Sequence, residues 1–428
     1  MTVRPLRIAW LGPTPGAGKE GGAQGAATEI LYGLAELGHR IDCFLPAHGR
    51  DLAPQLLAMD NLQFVRGTSG WSWNRWYSRT KLLAFASGLV ARGLASLRLR
   101  QEVVRRHRQL PYDVIFQQSN VESLAVPSSL ARAVPIVMRP DTHMAGELRS
   151  LIAERSLAIR CQPRHTFVMV TVIMAFRTVV QRVRIRRASL LICISAVFRD
   201  HLVHDYRFPG NATVVIPNPV RLARFAGIER DLAETPTVLV LGRISARKGI
   251  DDVVALARLL LERGIDLRLR VIGGPSLWSD YTSLLDDLPS ENAEYLSRLP
   301  PSSIPTELAR SDILLQPSRY EPFGCTVAEA LAAGVPVVAT TEVGAIEGVD
   351  RSVAAAVEPG DVEGMAAAIA TMVAAVRRDP DGVGTIARAE AERLFAPEAV
   401  CERISWALGR LVEAAPPEGA DEPVIAAA

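Results

Sequence analysis

The sequence predicts an α/β protein of two doubly wound, Rossmann-like parallel-sheet domains facing a central cleft. Three observations carry that prediction. At 428 residues the chain has the length of two domains of roughly 200 each. Apolar runs of strand length alternate with segments of helix length along most of it, the pattern of parallel sheets with crossover helices. Gly12, Gly242, Gly273 and Pro317 fall at the carboxyl ends of such runs, where sheets of this kind bind ligands.

The elements follow in order. Residues 7–12 read as a buried strand, 24–37 as an amphipathic helix and 40–45 as a second strand. Strands at 113–117, 135–138, 190–194 and 213–216 complete a first domain over residues 1–217. Pro217, Pro219 and the polar stretch to Thr235 mark a linker. A second domain, residues 236–392, has strands at 237–242, 267–273, 313–316 and 335–340. A terminal helix follows at 397–414, within the segment 393–414, and the tail from 415 to 428, APPEGADEPVIAAA with its prolines and acids, is expected to be disordered.

Composition narrows the class. An apolar content of 49% with 22% charged residues indicates sizeable cores. The opening MTVRPLRIAWLGPTPG has only a strand-length apolar run, too short for a secretory signal. Five scattered cysteines without paired spacing suit a reducing cytoplasm and argue against a disulfide framework or zinc site.

The net charge of +2 hides an asymmetry. Residues 1–220 hold 28 basic and 14 acidic side chains, an excess of +14, which leaves −12 for the remainder. The excess concentrates in 75–108 and 155–187, the second of which contains no acid. Such stretches suit anionic partners, meaning phosphorylated acceptors, lipid head groups such as those on the inner face of the cell membrane, or nucleic acid; solvated helix faces are the other reading. The apolar run 166–176, TFVMVTVIMAF, has 11 residues where a spanning helix takes roughly 20, so a buried or interfacial helix is expected. WSWNRWYSR at 71–79 has a composition suited to a membrane surface, or to tryptophans packed under a helix.

Three motifs carry chemistry. GAGKEG at 16–21 matches a dinucleotide fingerprint, but the second strand ends in Leu45-Pro46 without the acid that would hold a ribose, and Lys19 is not followed by Ser or Thr as in a P-loop. A glycine-rich turn that brings backbone amides to a diphosphate, with Gly21 and Gly22 closest, fits better. LGRISARKG places Arg243 and Lys248 just past a strand and Gly242. EPFGCTVAEA then sets Glu321 and Glu329 eight positions apart around a turn and a short helix at about 326–333, which Gly334 terminates. Carboxylates suit hydroxyls, while a helix start and two cations suit a phosphate. One ligand class, a nucleotide diphosphate sugar, satisfies both.

These residues resemble the retaining glycosyltransferases of family 4, glycosyl transferases group 1, which have the GT-B fold. The likeness runs from Leu241-Gly242-Arg243 to Lys248-Gly249, and from Pro317-Ser318-Arg319-Tyr320-Glu321-Pro322-Phe323-Gly324 through Glu329 to Ala339. Further matches are Gly21-Gly22, GHRI at 38–41, IPNPV at 216–220, VIGGP at 271–275 and VEPGD at 357–361. The resemblance implies hexose transfer with retention from a UDP- or GDP-linked sugar, without cofactor or metal. The acceptor, lipid-linked or anionic, is expected to be held by the basic first domain; nucleic acid is not expected.

It also implies roles. Arg243 and Lys248 neutralise the diphosphate, Glu321 holds donor-sugar hydroxyls, and the amides of Phe323, Gly324 and Cys325 face the sugar or β-phosphate. Glu329 accepts from the ribose, and the base lies near Gly273 against Ser297-Arg298-Leu299, where the family usually has Gly. Asp141 occupies the place of a first-domain His, with His143 two residues on; either fills that role. The loop VGAIEGV carries Ala345 in place of a usual Gly, with Glu347 where a Glu is expected. The terminal helix packs back on the first domain in the family. The rivals are a GT-B sugar-nucleotide epimerase or inverting transferase, an NAD-linked oxidoreductase, and an inactive binding module.

Overall fold

A computed structural model describes residues 3–13, 15, 22–45, 52–66, 81–118, 126–161, 163–275 and 280–414. Among these, the strands form two all-parallel sheets. The first contains β1 (Arg7–Leu11), β2 (Arg40–Leu45), β3 (Leu62–Arg66), β4 (Val114–Gln118), β5 (Ile136–Arg139), β6 (Leu190–Cys193) and β7 (Thr213–Val215), in the order 3-2-1-4-5-6-7. The second contains β8 (Thr237–Leu241), β9 (Arg268–Ile272), β10 (Ala293–Tyr295), β11 (Ile313–Gln316), β12 (Val337–Thr340) and β13 (Ala354–Val357), in the order 10-9-8-11-12-13. Strand order reverses between β1 and β4 and between β8 and β11, and such switch points open a crevice at the carboxyl ends. Gly12, Gly242 and Pro317 begin the loops there.

Three strands escaped the sequence reading: β3, β10 and β13, each at a sheet edge. Edge strands are half solvated and lack the continuous apolar run of a central one. LQFVR is mostly exposed or half-buried, AEY has three residues, and AAAV is built from a weak strand former.

The helices of the first domain are α1 (Ala23–Glu36), α2 (Pro54–Leu57), α3 (Lys81–Gln109), α4 (Ser128–Ala133), α5 (Met144–Ala153), α6 (Arg155–Cys161), α7 (Arg164–Ile185) and α8 (Ala196–Tyr206). Those after the linker are α9 (Ile250–Glu262), α10 (Ile304–Ala309), α11 (Cys325–Ala332), α12 (Val362–Arg378), α13 (Pro380–Phe395) and α14 (Pro397–Ala414). The helix α7 corrects one expectation. Its apolar run was read as 11 residues, too short to cross a bilayer; the helix has 22 and is long and apolar enough by length and composition. The valines of the Arg-rich continuation prolong the apolar face of 166–176, which linear spacing concealed. GAGKEG with Gly21, the 71–79 segment and the tail from 415 lie outside the described residues.

The two domains share one apolar core. Met138, Phe198 and Tyr206 of the first cluster with Leu239, Phe323 and Val327 of the second. Polar contacts reinforce the junction: Ser195 Oγ donates to the Pro322 carbonyl at 2.8 Å, and the Glu347 carboxylate accepts from the amides of Ala196 and Val197 at 2.6 and 2.8 Å. That carboxylate sits on the positive end of α8, the favourable sign for a helix N-terminus.

The helix α14 returns to α1. Val400, Ile404 and Leu408 join the core formed by Ile30, Leu34 and Trp10, and His39 Nε2 lies 2.8 Å from Ser405 Oγ. Gly33 makes the close approach: a Cβ there would overlap the side chain of Cys401. Gly33→Ala should therefore cost about 1–3 kcal/mol by overpacking, read from the denaturation midpoint, and Cys401→Ala in the same background should return part of it. An unchanged midpoint would mean α14 is not held by this contact.

Candidate active site

Four loops at the carboxyl ends of the second sheet build the site. After β8, Gly242 takes φ 156° and lets the chain leave toward Arg243, while a Cβ on Gly273 would overlap the Gly242 carbonyl. This backbone contact ties the ends of β8 and β9 together. A tight turn, Ala246–Lys248, then leads to Gly249 at φ 69°, where a Cβ would overlap the Pro317 carbonyl. The turn carrying Arg247 and Lys248 is thereby pressed onto the end of β11.

Charges converge there. Lys248 Nζ lies 2.5 Å from Glu321 Oε2, and Arg247 Nη1 lies 3.2 Å from the same oxygen while donating to the Tyr320 carbonyl at 2.7 Å. Burial alone would raise the Glu321 carboxyl, but Lys248, Arg247 and Arg243 outweigh it and hold it at about 2. Burial lowers Lys248 and the neighbouring arginines push the same way, while Glu321 opposes them. Arg243 is exposed and has no hydrogen bond or ion pair among the described residues, so it is the cation of this group left to meet an anion.

The start of α11 faces the same space. Gly324 precedes it at φ 96°, where a Cβ would meet Val343, and Gly334 closes the helix at φ 79°. Thr326 Oγ1 donates to Gln316 Oε1 at 2.8 Å, and Gln316 Nε2 donates to Ser318 Oγ at 2.6 Å, which fixes the first turn on the end of β11. The amides of Phe323, Gly324 and Cys325 donate to nothing among the described residues. A helix start with unengaged amides beside cations favours an anion.

Glu329, one helical turn further on, lines a pocket between the domains together with Gly22, Glu29, Arg221, Arg224 and Cys325. Burial raises its carboxyl, and Arg224, 3.7 Å away, draws it back. Arg221 Nε donates to Glu29 Oε1 at 2.8 Å across the same pocket. Gly22 has φ 70° and reaches it from the start of α1. In the turn at 297–299, Ser297 takes φ 53°, the left-handed region in which Gly is the easy choice, and its carbonyl accepts from the Gly273 amide at 2.9 Å. The exposed Arg298 stands beside Gly274.

The two first-domain candidates separate in space. Asp141, two residues past β5, accepts from Gln118 Nε2 at 2.7 Å and lies 3.7 Å from Arg139 Nη1. Burial raises its carboxyl to about 6 despite Arg139 and Gln118. His143 is wholly buried instead. Its Nδ1 lies 2.8 Å from the Tyr320 hydroxyl and its Nε2 3.0 Å from Asp205 Oδ2. In a neutral ring protonated on Nε2, Nδ1 accepts from the Tyr320 hydroxyl, whereas Nε2 lies within ion-pair distance of Asp205 Oδ2 without hydrogen-bond alignment. Burial lowers its pKa to about 4, against the opposing pull of Asp205.

Sequence reasoning did not single out Arg247, Tyr320, Glu29, Arg221 or Arg224. Arg247 and Tyr320 had a signal, since each adjoins a residue that was chosen. Glu29 and Arg221 stand 192 positions apart and meet only through the fold.

This architecture is that of the GT-B class. The sucrose-phosphate synthase of Thermosynechococcus elongatus superposes with a TM-score of 0.66 at 19% identity, covering 96% of this chain and 100% of that one. The Anabaena protein HepE in complex with UDP and glucose gives 0.60 at 21% identity, covering 94% and 99%. Residues 20–224 match the model of Glycosyltransferase Family 4 and residues 228–376 that of Glycosyl transferases group 1. The chain belongs to this glycosyltransferase family.

Among curated relatives, mannosylfructose-phosphate synthase of Agrobacterium fabrum is 28% identical over 36% of this chain and 38% of its own length. A GDP-mannose-dependent alpha-(1-6)-phosphatidylinositol monomannoside mannosyltransferase of Mycolicibacterium smegmatis is 31% identical over 38% and 44%. D-inositol 3-phosphate glycosyltransferase of Geodermatophilus obscurus is 28% identical over 84% and 79%. The chain thus spans half or less of the length of the first relatives it matches.

The depressed His143 pKa sets a pH dependence. A buried neutral imidazole contributes stability that is intact above the unfolded value of about 6.5 and is lost as pH falls toward about 4, up to roughly 3 kcal/mol. The stability gap between the parent and His143→Gln should narrow by about that amount between pH 7 and pH 4 in urea titrations. A gap independent of pH would mean His143 titrates alike in both states.

Proposed function

We propose that the protein transfers a hexose from a nucleoside diphosphate sugar, UDP- or GDP-linked, to a hydroxyl of a lipid-linked or anionic acceptor, with retention at the anomeric carbon. The observation that carries this reading is the convergence of Lys248, Arg247 and the unpaired Arg243 beside the unengaged amides of Phe323, Gly324 and Cys325. Arg243 and Lys248 take the diphosphate, and Glu321 turns toward donor-sugar hydroxyls as Lys248 is shared with phosphate. Glu329 accepts from the ribose, and Arg298 with the Gly273 edge borders the base. Gly22 and Asp141 face the sugar or acceptor from the first domain.

In the chemical step the bond from the anomeric carbon to the phosphate oxygen breaks and the acceptor oxygen bonds the same face. The acceptor proton passes to the departing phosphate oxygen. Negative charge grows on the diphosphate, so cations fixed beforehand stabilise the transition state more than the bound donor. The acceptor class is supported by the basic excess of the first half and by relatives whose names specify inositol phosphate and phosphatidylinositol acceptors. Calorimetric titration with UDP-, GDP- and ADP-sugars and with NAD tests the donor; binding of NAD alone would replace this reading with an oxidoreductase.

Lys248→Ala or Arg243→Ala should lower turnover by on the order of 10² to 10³, about 3 to 4 kcal/mol. Near-full activity in both variants with an accepted donor would refute the diphosphate assignment. Glu329→Ala should weaken binding of the free nucleotide, while Glu321→Ala should mainly harm the intact donor. Equal losses of free-nucleotide affinity would remove that division of roles.

A further inference from the structure

The helix α7 turns an apolar stripe to solvent. Val168, Val172, Phe176, Val179 and Val183 recur at spacings of three and four, so they share one helical face, and each is 58–62% exposed. The opposite face is committed to the fold: Phe167, Gln181, Arg184 and Ile185 are buried. Gln181 accepts from the Met144 amide at 2.7 Å and donates to the Thr142 carbonyl at 2.6 Å. Thr171 and Thr178 donate to the carbonyls of Phe167 and Met174, so neither hydroxyl requires water.

Cations bound the stripe. Arg164 stands exposed at one end and Arg182 and Arg186 at the other, with no ion pair for these three among the described residues. No carboxylate occurs anywhere from residue 155 to 187. An apolar face flanked by unneutralised arginines matches the acyl boundary and phosphates of an anionic bilayer.

We propose that α7 lies flat on an anionic membrane, with Val168, Val172, Phe176, Val179 and Val183 at the acyl boundary and Arg164, Arg182 and Arg186 against lipid phosphates. Crossing the bilayer is disfavoured although the helix is long enough. It would strip Phe167, Gln181 and Ile185 of their packing and carry Arg177, Arg182 and Arg184 into hydrocarbon. A second copy of the chain is a poor occupant as well. Pairing the stripe with itself sets arginine against arginine in either orientation, with no acid on the face to offset the repulsion. The proposal stands apart from the transferase reading, because vesicle attachment needs no donor or turnover.

The test is cosedimentation of the full chain with phosphatidylcholine vesicles, with and without phosphatidylglycerol, at low and high salt. The expected result is binding only to the anionic vesicles, weakening with salt. Val172→Asp with Val179→Asp should reduce it by roughly tenfold or more, and Arg182→Gln with Arg186→Gln should remove the preference for anionic lipid. Phe176→Trp should shift its emission to the blue on anionic vesicles alone. Unchanged melting temperature and nucleotide affinity in these variants would keep a loss of attachment distinct from misfolding or loss of the donor site. Three outcomes overturn the proposal: no binding of the parent at low salt, binding untouched by the paired aspartates, or a solution dimer that the aspartates dissolve.

Discussion

The partly buried carboxylate of Glu321 is the constraint on which the rest of the second domain's site depends. Without it, Lys248 and Arg247 would be two partly buried like charges on one tight turn, and burial already disfavours the charged lysine. With it, both cations converge on a single oxygen at the carboxyl ends of β8 and β11. Removing one partner of such a group leaves uncompensated charge and costs more than the group gains in stability when intact. Its value here is positional. The cations are held before a ligand arrives, so an incoming diphosphate meets a field that needs little reorganisation.

Glu321 is also the middle of three consecutive residues that cross between the domains. Tyr320 places its hydroxyl 2.8 Å from His143, and the Pro322 carbonyl accepts from Ser195 at the same distance. Side chains and backbone on either side of the carboxylate are therefore fixed by the first domain, while the carboxylate belongs to the second. Residues 320–322 therefore join the first domain directly to the loop that carries the Glu321 carboxylate.

The parts of this arrangement that sequence disclosed are those with local causes. Central strands read correctly because burial on both faces makes them continuous apolar runs, and β2, β11 and α14 were placed to the residue. Gly334 was legible as a left-handed helix stop, Gly242 as a strand end and Gly249 and Gly324 through the motif likeness; positive φ or close backbone approach is the reason glycine stands at each. The limits were equally physical. Whether Asp141 or His143 reaches the cleft turns on how the chain enters α5, which a two-residue separation does not encode. The pairing of Glu29 with Arg221 depends on the position of the linker between the two sheets. The full length of α7 was hidden because arginines interrupt its apolar run in linear order but not on its helical face.

That last point joins the surface of the molecule to its site. The excursion from β5 to β6 begins at His143, whose ring touches Tyr320, and α5 packs both against α7 and against the turn that carries Arg247 and Lys248. Ala158 of α6 and Phe167 of α7 lie in the core of the second domain, although both belong to the first by sequence order. One continuous segment therefore presents the exposed apolar stripe at its outer face and contacts the cation turn at its inner one. Helices α6 and α7 thus each bury a side chain, Ala158 and Phe167, in the core of the second domain. Most of the basic side chains of residues 155–187 lie on its outer face, while its inner face buries Arg184 and Gln181 beside Phe167 and Ile185.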